Sequence, residues 1–375
     1  AKSGAKGTRI GITASKKIVK PAVKGQSKAR RSGPQDEFAP TVPIILDISE
    51  GLASSLDYDS LNDELSALRR ALYFDLGVPF PGINLRVSPT LPGLSYVLQV
   101  NEIPMSRGQL EAGMVLARES EDTLRMLGVE VKKGENFLPD VETLWIPQEK
   151  QALLEQAGLS CMSHSRILAY LLSLVLARHA SNFIGMQETK YLLDKMEERA
   201  PDLVREATRL LPVQRIAEIF QRLAQEQISI RDLRSILEAV IEWSPKEKDT
   251  VMLTEYVRGA LKRQISYMYS RGQNMLPAIL MDPSVEETIR KAIRQTSAGA
   301  FLALDPDTSR RFIEAVGAAA GDYRKHPQAP VLLASMDIRR YVRRLIEGEH
   351  YKLPVVSYQE ITPEISVQPV NRIRL

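Results

Sequence analysis

Residues 228–242 read ISIRDLRSILEAVIE, a stretch too regular for a loop and without a residue that obviously does chemistry. Ile230, Leu233, Ile236, Leu237, Val240 and Ile241 recur at the three- and four-residue spacing that lines one face of an α-helix, so the pattern predicts a helix with a buried stripe. Ser229 followed three residues later by Asp232 has the form of a capping box and predicts where the helix begins. The opposite face carries Arg231, Asp232, Arg234 and Glu238. Solvation, pairing along the helix and contact with a partner all remain open for that face, because periodicity does not choose among them.

The same helical period extends in both directions. Over residues 184–261 it recurs in QETKYLLDKMEERA and VQRIAEIFQRLAQEQ, with Pro201, Pro212 and Pro245 at or near the breaks, which predicts a helical subdomain. Upstream the pattern changes. PIILDIS reads as a strand, SLNDELSALRRALYFDLG as a helix stopped at Gly77, and INLRVS with SYVLQVNEI as strands paired across PTLPGL. This is a first α+β subdomain over residues 42–110, rejoined by an apolar helix at 163–183. Residues 111–162 hold a second small set, MVLAR, TLRMLG, TLWIP and QEKQALLEQAG, which reads as an inserted subdomain. Beyond residue 262, MLPAILMD, PVLLASM and LPVVSYQEI are strand candidates between helices at 284–296, 307–320 and 337–346, giving a C-terminal α/β subdomain over 262–375. The predicted class is α+β with several subdomains.

The net charge of +4 conceals a division: residues 1–35 hold ten of the 50 Lys and Arg and no acid, leaving 40 against 46 Asp and Glu afterwards. Residues 1–37, rich in Lys, Gly, Ala and Ser, lack the apolar surface to offset ordering entropy and read as a basic disordered linker. Such an arm suits nucleic acid or anionic lipid, but it carries no interleaved aromatics for base stacking and the rest of the chain is acidic. A nucleic-acid-binding protein with a basic arm is therefore the alternative reading. The single Cys161 excludes an internal disulfide framework and fits a reducing compartment. The longest apolar run, residues 167–177, has about eleven residues against the roughly twenty a bilayer crossing needs. The chain does not begin with Met, and a membrane segment upstream of Ala1 would explain a basic linker there.

The motifs GxxxxGK[ST], GxGxxG, HExxH, GxSxG and paired CxxC do not occur. His164, His179, His326 and His350 are scattered, so neither a metal site nor a catalytic residue is expected. Asp57, Asp59, Asp63 and Glu64 are acidic, yet Leu61 and Asn62 stand where a calcium loop needs an oxygen ligand and a glycine. These acids read as dipole partners at a helix start. Trp145, inside an apolar strand, reads as core.

Five stretches then resemble, in order, the export-gate family of type III secretion systems, the FlhA/SctV proteins: LRRALYFDLGVPFPGINLRVSP, FIGMQETKYLLD, LPVQRIAEIFQRLAQEQISIRDLRSILEAVIEWSPKEKD, MLTEYVRGALKRQI and PVLLASMDIRRYVRRLI. GMQETKYLLD and IEWSPKEKD are similar to the virulence, or injectisome, branch. The flagellar branch carries a longer insertion with a DPAFG-like motif near Trp145, where this chain reads NFLPDVETLW. The resemblance implies an N-terminal membrane half and a linker, then a non-enzymatic cytoplasmic domain without a cofactor, at the cytoplasmic face of the bacterial inner membrane. It also implies a nine-subunit ring that receives chaperone-substrate complexes, a gatekeeper protein and the ATPase stalk protein, beside other inner-membrane export apparatus proteins and with no nucleic acid. On that basis Arg231, Asp232, Arg234 and Glu238 are candidates for the ring interface, and Phe137, Pro139 and Tyr170 for a cargo cleft between the first two subdomains.

Overall fold

The computed structural model describes residues 40–138, 142–296, 299–321 and 328–375. The expected linker at 1–37, Pro139 and His326 lie outside the described residues. Strand β1 (Ile44–Ser49) is buried along its whole length, which suits its run of branched apolar residues to the middle of a sheet. It lies between β2 (Asn84–Ser88), parallel to it, and β3 (Ser95–Val100), antiparallel, with β4 (Ile103–Gln109) beyond β3. The two segments flanking PTLPGL thus do not pair with each other as the sequence predicts. The strand apolar on both faces takes the centre and separates them, leaving β2 as a largely exposed edge.

Between β1 and β2 run α1 (Glu50–Ser55) and α2 (Tyr58–Leu76). The Asp57 carboxylate accepts the Asp59 N–H at 3.1 Å, and α2 ends at Gly77 with φ of +76°. Both ends of α2 agree with the sequence reading.

The next segment builds a second sheet from β5 (Met114–Ala117), β6 (Lys132–Lys133), β7 (Leu144–Pro147) and β8 (Cys161–Met162), in the order β6-β7-β5-β8, with α3 (Glu121–Met126) and α4 (Gln151–Gln156). Its strands alternate between two cores, as a period of two requires. Val115, Leu144, Ile146, Leu154 and Cys161 pack locally, while Leu116, Trp145 and Met162 join the main core. The chain returns through α5 (His164–Arg178), which packs on α2.

Six helices follow: α6 (Met186–Glu197), α7 (Pro201–Leu210), α8 (Val213–Gln225), α9 (Leu233–Trp243), α10 (Thr250–Ala260) and α11 (Lys262–Ser270). Ile236, Leu237 and Val240 of α9 are buried in the main core, and Leu233 and Ile241 pack at its margin. The expected start is displaced. Asp232, not Ser229, caps α9 by accepting the Ser235 N–H at 3.1 Å, while the Ser229 hydroxyl takes the Arg231 N–H at 3.4 Å. The Ile230 N–H is committed to the Leu76 carbonyl at 2.9 Å, which ties this segment to the end of α2 rather than to a helical turn.

The last part is a parallel sheet, ordered β13-β12-β9-β14, of β9 (Met275–Met281), β12 (Val331–Ala334), β13 (Val355–Ser357) and β14 (Ser366–Ile373). Helices α12 (Pro283–Ala292), α13 (Pro306–Ala320) and α14 (Met336–Ile346) accompany it. The helix expected over 284–296 stops at Ala292, where its apolar stripe ends. Residues from Ile293 form β10 (Ile293–Thr296), paired with β11 (Gly299–Leu302). The fold is α+β with several small sheets around a helical centre, in agreement with the predicted class. Among the described residues no helix is long and apolar enough to cross a membrane.

Candidate functional site

Backbone hydrogen bonding at the end of α2 decides what the charged face of 228–242 does. Helix C-termini leave carbonyls without intrahelical donors. The Arg231 Nη1 donates to the Phe74 carbonyl at 2.8 Å, and its guanidinium lies 4.9 Å from the Phe74 ring centre. Gly77 makes this close approach feasible: any side chain there would place its Cβ 2.8 Å from the Arg231 backbone nitrogen. Arg231 and Asp232 therefore serve the subunit's own fold, one closing α2 and one opening α9. Arg234 and Glu238 are different: both are more than half exposed, joined only by a 3.8 Å ion pair one turn apart. Such a pair contributes under about 1 kcal/mol and leaves both charges available to a partner.

Of the residues expected at a cargo cleft, Phe137 stacks on Trp145 at 6.0 Å between ring centres, and Trp145 is only 2% exposed, core as expected. Gly134 lies flat on that indole, since a Cβ there would sit 2.8 Å from its Nε1. Tyr170 is half-buried on α5. Both Phe137 and Tyr170 border the main core, from the inserted sheet and from α5 respectively. At the start of α5 the His164 Nε2 is 2.9 Å from the Glu111 carbonyl oxygen. Burial lowers the pKa of this imidazole, so near neutral pH it stays uncharged.

The most elaborate polar arrangement was missed in the sequence. Arg339 of α14, 1% exposed, donates from Nε and Nη2 to Glu255 of α10 at 2.5 and 2.6 Å. Its Nη1 and Nη2 also donate to Glu226, just past α8, at 2.7 and 2.8 Å, and Nη1 to the Val355 carbonyl at 3.1 Å. Arg258 of α10, wholly buried, reaches the opposite way to Glu360 at 2.6 Å and lies 3.4 Å from Glu226. Glu360 in turn accepts the Ser357 N–H and hydroxyl. Burial alone would raise the Glu226 pKa, but the Arg258 and Arg339 charges outweigh it and hold that carboxyl at about 2. Nearby, Tyr351 lies between Arg178 of α5 at 4.7 Å and Arg343 of α14 at 5.3 Å. A signal did exist. Arg339, Val342, Arg343 and Ile346 follow helical spacing, as do Glu255 and Arg258, so these charges sit on apolar stripes.

A helical block thus packs against two small sheets and is bonded through buried charges to a parallel sheet. Comparison with known proteins identifies the family to which this arrangement belongs. The FHIPEP family model matches residues 6–366. The chain is 51% identical over 345 residues to low calcium response locus protein D of Yersinia pestis, covering 92% of this chain and 49% of that protein. Against the hypersensitivity response secretion protein HrcV of Ralstonia nicotianae it is 39% identical, covering 89% and 48%. It is similar to the Chlamydia pneumoniae CdsV protein solved in complex with CdsO (TM-score 0.84, 41% identity, 91% of this chain and 100% of that one). The nonameric SctV-C from EPEC, seen by cryo-electron microscopy, gives a TM-score of 0.74 at 29% identity over 90% of this chain and 100% of that one. The chain belongs to the FHIPEP family, the export-gate proteins of type III secretion, and to its virulence branch. It spans about half the length of the Yersinia and Ralstonia proteins.

Proposed function

We propose that this chain is the ring-forming cytoplasmic part of an injectisome export gate, placed at the inner membrane by a membrane half outside these residues. Its likeness over 90% of its length to a nonameric family member carries this reading. A relative solved with CdsO supports a docking site for a stalk-type partner. In this reading the chain falls into four subdomains, 42–110 with 163–183, 111–162, 184–261 and 262–375. Arg234 and Glu238 face the neighbouring subunit, and Phe137, Pro139 and Tyr170 line the cleft that receives chaperone-substrate complexes and the gatekeeper. The work of the domain is binding and sorting rather than catalysis, and nucleic acid is not a partner.

The test is a pull-down of cognate chaperone-substrate complexes on the purified chain, with phosphate release measured in parallel. The expected result is chaperone capture that Tyr170→Asp abolishes while the variant stays folded, with no nucleotide turnover. Nucleotide hydrolysis that vanishes with a point mutation in this chain would overturn the proposal.

A further inference from the structure

The lattice around Arg339 exceeds what holding two elements together requires. A guanidinium has five N–H donors in a fixed plane, and Arg339 makes five hydrogen bonds: two to Glu255, two to Glu226 and one to the Val355 carbonyl. The arrangement is reciprocal. The C-terminal sheet region supplies Arg339 to carboxylates of the helical block, and the helical block supplies Arg258 to Glu360. Arg339, Arg258, Glu255 and Glu360 are all buried. Apolar attraction is non-directional, whereas a hydrogen-bonded ion pair fixes both distance and angle. In this lattice a shift of one bond length would strand buried charges away from both partner and water.

We propose that the Arg258–Arg339 lattice is an orientation lock, which fixes the C-terminal α/β region at one angle on the helical block so that the two move as a single rigid body. Any partner that turns the C-terminal region thereby turns the helical block. The lock concerns one subunit and stands whether or not the chain forms rings.

Distances between spin labels test it. In a Cys161→Ser background of the full chain, labels at Glu242→Cys on α9 and Arg311→Cys on α13 occupy exposed sites on the two bodies. Pulsed electron resonance at low protein concentration should give one narrow distance. The same pair is then measured in Glu255→Gln, which removes one charge, and in Arg339→Met/Glu255→Met/Glu226→Gln, which replaces the Arg339 half of the lattice by apolar and neutral groups and leaves the Arg258–Glu360 pair. The expected outcome is a folded triple variant whose distance distribution is at least twofold wider than the parent's, with Glu255→Gln between them. A broad or split distribution in the parent would overturn the proposal. So would a folded triple variant as narrow as the parent, or loss of folding in both variants, which would make the lattice a requirement of folding instead of orientation.

Discussion

Two joints within the chain share one apolar core, and only one of them adds buried charge to it. The inserted sheet meets the first sheet and α5 through Leu116, Trp145 and Met162 and one neutral imidazole-to-carbonyl bond at His164. The helical block meets the C-terminal sheet through that same main core, which takes in Leu276, Val331 and Val356, and in addition through two buried arginines and three carboxylates. Apolar contact stabilises in proportion to area, at about 25 cal/mol per Å², and is indifferent to small slides. A buried ion-pair lattice contributes little net stability, because desolvation of each charge nearly cancels the attraction, yet it is exacting about geometry. The first joint therefore supplies adhesion, and the second supplies direction.

The sharpest break of this contrast is Arg339→Ala. It leaves Glu226 and Glu255 without their main partner and should cost about 3–5 kcal/mol in denaturant unfolding, far more than the lattice is worth as a whole. At the adhesive joint, Leu116→Ala should cost about 2–4 kcal/mol, with the loss scaling with the cavity left behind. Acid separates the two further. The folded-state pKa of Glu226 lies below the usual carboxylate value, so its contribution is complete above about pH 4.5 and disappears as pH falls towards 2. That amounts to about 3 kcal/mol. Hydrogen exchange at about pH 3 should accordingly show α10 and α14 opening before α3 and α4. If the inserted sheet opens first, the assignment of direction to one joint and adhesion to the other is wrong.

How much of this was legible depended on whether the cause was local. The Gly77 terminator of α2, the Pro201 and Pro212 breaks and the buried stripe of α9 are set by neighbours within a few residues, and the sequence showed them. The central place of β1 is a tertiary choice, so adjacent segments were wrongly paired. Strand β14, mostly exposed and interrupted at Pro369, carries no alternating pattern, and only its pairing with β9 makes it a strand. Ser229 and Asp232 satisfied a capping-box spacing, but the distant Leu76 carbonyl claimed the Ile230 N–H and moved the helix start. The buried arginines escaped notice because Arg in a helical sequence is ordinarily a solvated residue. Of the seven candidate site residues, Arg231 and Asp232 have roles inside the subunit that spacing alone did not reveal.

Smaller effects refine the account. Arg231→Ala should cost about 1 kcal/mol, from the lost bond to the Phe74 carbonyl and the lost contact with its ring. Arg234→Glu should leave the melting temperature nearly unchanged, a loss within about 0.5 kcal/mol, since its ion pair is exposed and long. The difference between these neighbouring arginines, read by thermal unfolding, checks whether one face of 228–242 serves two purposes.

Ring formation is the central claim, and electron microscopy of the purified chain over rising concentration, in solution and tethered to a lipid monolayer, tests it most directly. A heterologous interface between identical subunits closes only at a fixed rotation, and mass action governs its occupancy. Monomers are expected at low concentration and closed rings of nine when the chain is concentrated or tethered, with Arg234→Glu reducing the ring fraction without unfolding the subunit. Monomers under every condition, or open filaments in place of rings, would contradict it.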